Sequence, residues 1–246
     1  MFVRPKEAAT VMLLRQSAEE PAEGFDVLMV LRSKKSKFVP SSYVFPGGAL
    51  DKDDCSPEMA VLCHGVERSQ PFAALKGLLS PAMALGTWVA GIRETFEEVG
   101  LLLAYTTDDR LLSFGNENAS RYQHYRFLLQ QRMLTFREIL QKEALTPAAD
   151  RLHYYSHWVT PWFLPIRYDV RFFVAEAPAG QEALHDGMEL TDHLWIKPQE
   201  ALHRYHEKSF DMVYPTIMTM RDLSRFRTID EVIRSTVGKE ISEDSG

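Results

Sequence analysis

Cysteine is nearly absent. Cys55 and Cys63 are the only two in 246 residues, too few for a disulfide framework. The usual zinc spacings are also missing, so the neighbouring Cys63 and His64 read as a thiol beside a histidine rather than a ligand pair. No apolar run approaches the ~18–20 residues that a membrane-crossing helix requires. A basic excess is lacking too, and the formal charge of −6 argues against broad nucleic-acid binding. Residues 1–7 hold no apolar signal core, and the final Ser-Glu-Asp-Ser-Gly matches no retention or peroxisomal address. A cytoplasmic compartment is the resulting expectation.

What is present suits an ordinary globular domain. Hydrophobic residues make up 45% of the chain and charged residues 25%, enough apolar material for a sizeable core. With no internal repeat or obvious linker, one domain over residues 1–246 is expected, with insertions at 51–80 and 106–150. Apolar runs at 8–14 and 25–31, joined by a polar segment, read as two strands. A third at 43–45 should stop at Pro46, Gly47 and Gly48. Residues 82–99 predict a helix with Pro81 in its first turn, although Gly86 and Gly91 weigh against an unbroken one. A buried strand is expected at 101–105, and two helices within 119–145. Strands follow at 154–160, 168–175 and 193–196, then helices at 198–206, 214–225 and 229–236.

The chemistry concentrates in residues 90–101. On a helix, Glu94, Glu97 and Glu98 stand at i, i+3 and i+4 and share one face. Arg93 adjoins them, and Gly100 sits where a C-cap glycine belongs. An oxygen-rich cluster of this kind suits Mg²⁺ or Mn²⁺, which take a few carboxylates plus substrate phosphates. The competing reading is a solvated acidic face, since neighbouring like charges there cost only about 0.2–0.5 kcal/mol per pair.

Together with Phe45, Pro46, Gly47 and Gly48, these residues resemble the signature of the Nudix hydrolases, G-x5-E-x7-R-E-U-x-E-E-x-G-U, with U bulky and apolar. Arg93, Glu94, Glu97, Glu98, Gly100 and Leu101 match its second half, with Thr95 at an apolar position. Gly48 opens the first half, and Asp54 stands at the glutamate position. Gly48 and Arg93 lie 45 residues apart where the signature has 14, so the box is split by an insertion of 31 residues. The resemblance implies an α/β (α+β) Nudix fold, a mixed β-sheet sandwiched between helices, with helical insertions. It also implies Glu97 and Glu98 as principal metal ligands with the Gly47 carbonyl as a backbone ligand. Glu94 would complete the cluster or act as general base, and Arg93 would hold the glutamates by ion pairing. A further acid from a distant loop often contributes in this family; Glu189 is the candidate here, the alternative being a solvated loop carboxylate.

The substrate class implied is a nucleoside diphosphate linked to some moiety X. Leu28, Arg32, Ser33 and Phe45 to Gly48 fall in register with the pattern L-L-T-x-R-S-x3-R-x3-G-x3-F-P-G-G of coenzyme A diphosphatases, with Lys37 for the second arginine and Ser41 for the glycine. The split box resembles the peroxisomal-type coenzyme A diphosphatase branch, as do the segments at 158–161 and 167–173. Coenzyme A also carries a 3′-phosphate, which would reward Arg32, Lys34, Lys35 or Lys37; a solvated basic turn is the alternative. Arg167, Asp169 and Arg171 share one face of a predicted strand, and a cleft role for one of the two arginines is expected.

The expected activity is therefore hydrolysis of coenzyme A or acyl-coenzyme A to 3′,5′-ADP and (acyl-)4′-phosphopantetheine. The alternatives are a pyrophosphatase for nucleotide sugars, dinucleotides or nucleoside triphosphates, and a catalytically silent nucleotide-binding regulator. Partners are expected to be a small-molecule substrate, with no nucleic acid and no membrane; a homodimer is left open.

Overall fold

The computed structural model describes residues 3–19, 24–36, 38–63, 75, 80–115, 118–187 and 189–237. Strand β1 (Lys6–Gln16) is the spine of a seven-stranded mixed sheet. It runs parallel to β8 (Tyr168–Glu176) along one edge, from Lys6 beside Tyr168 to Leu14 beside Glu176. Its other edge is divided. The Leu14–Gln16 end pairs antiparallel with β2 (Phe25–Arg32), while Ala8–Thr10 pairs antiparallel with β4 (Gly47–Ala49). Strand β7 (His153–Val159) extends the sheet beyond β8, while β3 (Tyr43–Val44) and β9 (Leu190–Ile196) flank β2.

Both faces of the sheet are covered, so β1 reads as a nearly continuous apolar run rather than an alternating one. Ala9, Val11 and Leu13 point into one core, packed beneath α2 (Pro81–Val99), α3 (Ala119–Gln130) and α4 (Phe136–Lys142). Met12 and Leu14 point into a second core under α5 (Pro198–His206), α6 (Tyr214–Leu223) and α7 (Ile229–Ser235). The short α1 (Pro57–Leu62) follows a 3-10 turn at Asp53–Cys55, and β5 (Ala104–Tyr105) pairs with β6 (Thr146–Pro147) apart from the main sheet.

Two expectations change, and a third, the helix at 82–99, holds against the weight of its glycines. Gly47 and Gly48 do not end a strand; they form β4, because Thr10 and Val11 take up the Pro46 carbonyl at 2.8 and 2.9 Å and lay the following residues along β1. Helix α2 is unbroken despite its glycines. A Cβ at Gly91 would press on Val11 and Leu152 at 3.0 and 3.2 Å, and one at Gly86 would reach 2.4 Å from Cys55 Sγ, so both glycines buy close packing. The strand expected at 101–105 shrinks to Ala104–Tyr105, with Leu101, Leu102 and Leu103 buried as an irregular segment. Of the 51–80 insertion, residues 64–74 and 76–79 lie outside the described residues, including His64. Both cysteines are packed thiols, Cys55 pushed up to about 11 and Cys63 to about 12 by burial. Among the described residues, no helix is long and apolar enough to cross a membrane.

Candidate active site

Helix α2 starts at the Ser80 cap, whose hydroxyl accepts from Met83 N–H at 3.3 Å. It ends at Gly100, whose φ of +73° makes it the left-handed cap expected of glycine, with its N–H on the Phe96 carbonyl. Thr95, polar at an apolar position of the signature, is fully buried and gives its hydroxyl to the Gly91 carbonyl at 2.8 Å. The last turns of α2 then face β4. A Cβ at Gly48 would come within 2.5 Å of the Glu94 carboxylate, so only glycine lets strand and acid approach this closely. At Gly47 a Cβ would run into the β1 backbone.

Arg93 is the hub of the acids. Its guanidinium donates to both Asp54 oxygens, to Glu94 Oε1 and Glu97 Oε1 at 2.9 Å each, and to the Ala49 carbonyl. Burial disfavours the charged guanidinium, but Glu94 and Asp54 outweigh it and hold its proton more tightly than usual. Glu98 turns the other way and accepts the Gly47 N–H at 2.8 Å. Burial drives Glu98 well above its ordinary carboxylate range, aided by the charge of Glu94, and pushes Glu94 up to about 7. Buried carboxylates thus exceed what one guanidinium neutralises. An oxygen-only donor set with excess negative charge fits a hard divalent cation. Among the described residues, no three acid, histidine or cysteine side chains are gathered closely enough to hold an ion as they stand.

The far end of α2 is held from the helical insertion. Arg126 of α3 is buried and donates to the main-chain carbonyls of Glu97 at 2.8 Å, Glu98 at 2.5 Å and Leu184 at 2.6 Å. Gln130 adds a second donor to the Glu97 carbonyl. These bonds occupy carbonyls that a helix end otherwise leaves open, and through Leu184 they tie α2 to the loop that precedes Glu189. Sequence reading passed over Arg126. The signal was a charged residue among the apolar positions Tyr122, Tyr125 and Leu129 of an inward stripe.

That loop delivers Glu189 to the site. Its carboxylate pairs with Arg32, its carbonyl accepts Ser33 N–H at 2.9 Å, and both side chains act electrostatically on Glu98, Arg32 lowering and Glu189 raising its proton affinity. Arg32 and Glu189 also line a cavity of about 640 Å³. Its lining includes the cations Arg4, Lys6, Arg32, Lys35 and Arg167 and the apolar Phe38, Pro165 and Ile166. Among the described lining residues, five cations stand against one carboxylate in a chain of net negative charge, which suits a phosphate-bearing ligand.

The structure therefore brings Arg32 and Arg167 together, with Arg167 anchored on the carbonyls of Thr160 and Val3. Arg4 and Lys6 join them unanticipated, because the parallel β1–β8 pairing is not visible in sequence. Arg171 does not join them. It is 2% exposed and tied to Glu7 and Asp169, not lining the cavity. Lys37 lies outside the described residues. Ser41, standing for a glycine in the coenzyme A pattern, takes a φ of +57°, a left-handed conformation that glycine reaches without cost.

A mixed sheet between helical layers, with R-E-x-x-E-E-x-G closing a helix against a glycine-rich strand, defines the Nudix hydrolase class. The family model described as the NUDT19 Nudix domain matches residues 5–223, and the chain belongs to that family. It is 26% identical over 245 residues to the acyl-coenzyme A diphosphatase NUDT19 of Xenopus laevis, covering 88% of this chain and 64% of that protein. The human protein of the same name is 26% identical over 254 residues, covering 92% of this chain and 67% of its own length. The chain thus spans about two thirds of the length of these relatives. Among solved structures, a NUDIX hydrolase from Alicyclobacillus acidocaldarius shares the fold with a TM-score of 0.72 at 23% identity, covering 98% of this chain and 99% of that one.

Proposed function

We propose that this chain hydrolyses the diphosphate linkage of coenzyme A or an acyl-coenzyme A, releasing 3′,5′-ADP and (acyl-)4′-phosphopantetheine. The observation that carries this reading is the adjacency of a strongly cationic cavity to the buried acid Glu98, through the Arg32–Glu189 pair. Diphosphate cleavage is a problem of positioning and of neutralising charge on the phosphate oxygens. Arg32 would orient the diphosphate, and Arg167, Lys35 or Lys37 would meet the separate 3′-phosphate, a second anionic feature that fits so many cations.

Glu94, Glu97, Glu98 and the Gly47 carbonyl would hold Mg²⁺ or Mn²⁺, which supplies charge neutralisation and acidifies the attacking water. Arg93 would keep Glu94 and Glu97 oriented, a supporting contact of the kind that tunes metal ligands. Glu94, buried and with a raised proton affinity, suits a group that takes a proton from water; Glu189, which acts electrostatically on Glu98, is the alternative. The names of the relatives, acyl-coenzyme A diphosphatases, point to the same substrate class.

Residues 1–246 are read as one domain, since α3 and α4 of the 106–150 insertion share a core with α2. The free, packed cysteines accord with a reducing compartment such as the cytoplasm.

The test is incubation with coenzyme A, an acyl-coenzyme A and ADP-ribose in Mg²⁺ or Mn²⁺, with products separated by chromatography. Release of 3′,5′-ADP at the highest kcat/KM supports the reading. Preference for ADP-ribose, a dinucleotide or a nucleoside triphosphate assigns the broader pyrophosphatase activity, and nucleotide binding without turnover assigns a silent regulator.

A further inference from the structure

The turn between β7 and β8 exposes three consecutive apolar side chains: Trp162 is 66% accessible, Phe163 68% and Leu164 38%. Single exposed apolar residues are commonplace, whereas an uninterrupted exposed run is not, unless it serves a purpose. The turn is well anchored. Thr160 N–H donates to the Tyr168 carbonyl at 2.9 Å, Tyr168 N–H to the Thr160 hydroxyl at 3.0 Å, and Leu164 N–H to the Pro161 carbonyl at 3.2 Å. The Trp162 and Phe163 rings meet edge to face at 6.0 Å.

The next two residues, Pro165 and Ile166, are part of the cavity wall. The exposed run therefore leads directly, along the chain, into two apolar residues that line the cationic cavity. A ligand matching this surface carries phosphates at one end and hydrocarbon beyond them. We propose that Trp162, Phe163 and Leu164 form a platform for the acyl chain of the substrate, making this turn a determinant of preference for acylated over free coenzyme A. The inference rests on the substrate reading above and goes beyond it by naming what selects the acyl group. Adjacency to the cavity lining favours the acyl chain over a lipid surface as occupant, because a bilayer would need the exposed run alone.

The experiment compares the full chain with the triple variant Trp162→Ser, Phe163→Ser, Leu164→Ser, measuring kcat/KM on coenzyme A and on dodecanoyl-coenzyme A below its micellar concentration. The expected outcome is a loss of about tenfold or more on the acyl substrate, the scale on which apolar pockets discriminate, with coenzyme A changed less than twofold. Equal loss on both substrates, or no loss on either, overturns the platform. Calorimetric binding of the same two ligands without metal gives a second readout. Should neither be hydrolysed, tighter binding of dodecanoyl-coenzyme A that the triple variant abolishes keeps the platform while the hydrolase reading falls; equal binding of both ligands overturns it. Sedimentation with phosphatidylcholine vesicles completes the design. Vesicle binding lost in the variant, with an unchanged acyl preference, reassigns the turn to a membrane surface and overturns the proposal.

Discussion

Arg93 and Asp54 are 39 residues apart in the chain, yet the arginine grips both oxygens of the aspartate, with Nε 3.0 Å from Oδ1 and Nη2 2.9 Å from Oδ2. The two halves of the split signature meet in space across that separation. Asp54 at the signature's glutamate position thus reaches Arg93 directly.

Removing the aspartate takes away the acceptor of the buried Arg93 Nε. Asp54→Ala is expected to destabilise the fold by about 3 kcal/mol, the low end for breaking a buried pair because Glu94 and Glu97 remain. Chemical denaturation measures this. A double-mutant cycle with Arg93→Met should show strong coupling, and independent effects would refute the pairing.

The acids themselves should matter for turnover rather than folding. Glu97→Gln and Glu98→Gln each keep size and hydrogen-bonding capacity, so the midpoint of unfolding should stay within a few degrees. Rates on the true substrate should fall by orders of magnitude in Mg²⁺ or Mn²⁺. Unchanged rates in either variant would sink the assignment of the cluster.

Ser41 is a mismatch in the opposite direction. A left-handed conformation costs a residue with a side chain about 1–2 kcal/mol, and the extra freedom of glycine in the unfolded chain returns part of that. Ser41→Gly should therefore raise stability by about 0.5–1 kcal/mol, seen as an upward shift of the melting temperature with catalysis intact. A lowered melting temperature would contradict it.

Arg171 is expected to support the fold rather than hold phosphate. Burial works to raise the Asp169 carboxyl, but the hydrogen bond from His157 and the charge of Arg171 outweigh it and keep it below its ordinary 3.8. A depressed carboxylate stabilises the fold above that value and loses its contribution as pH falls through the lower one. Asp169→Asn should thus cost about 1–3 kcal/mol near neutrality, and its deficit relative to the natural chain should shrink below pH ~3.8. Glu7 acts with the opposite sign. Burial raises it above its ordinary 4.5, so its charge burdens the fold near neutrality, and acid relieves that burden as pH falls through the raised value. Arg171→Met should lower stability without changing KM; a raised KM would return Arg171 to the cleft.

Much of the architecture was legible before folding was known. Strands β1, β2 and β8 announce themselves as apolar runs, and the glutamate spacing of α2 with its terminal Gly100 marks the site. Other features were not. The role of Gly47 and Gly48 as a strand depends on a partner far along the chain, and Gly86 and Gly91 look like helix breakers until Cys55 and Val11 are seen against them. Arg126 was not singled out, because its bonds go to carbonyls of two other segments.

Local periodicity and residue chemistry, both carried by neighbours within a few positions, determined the elements, the acidic cluster and its family. Which cations face one cavity was decided by the pairing of β1 with β8, which brings Arg4 and Lys6 beside Arg167. The same packing withdrew Arg171 into the interior, although it stands on the same strand as Tyr168. Long-range pairing and burial assign such roles because the energy of a charge depends on what surrounds it in space, and a linear order of residues does not contain that distance.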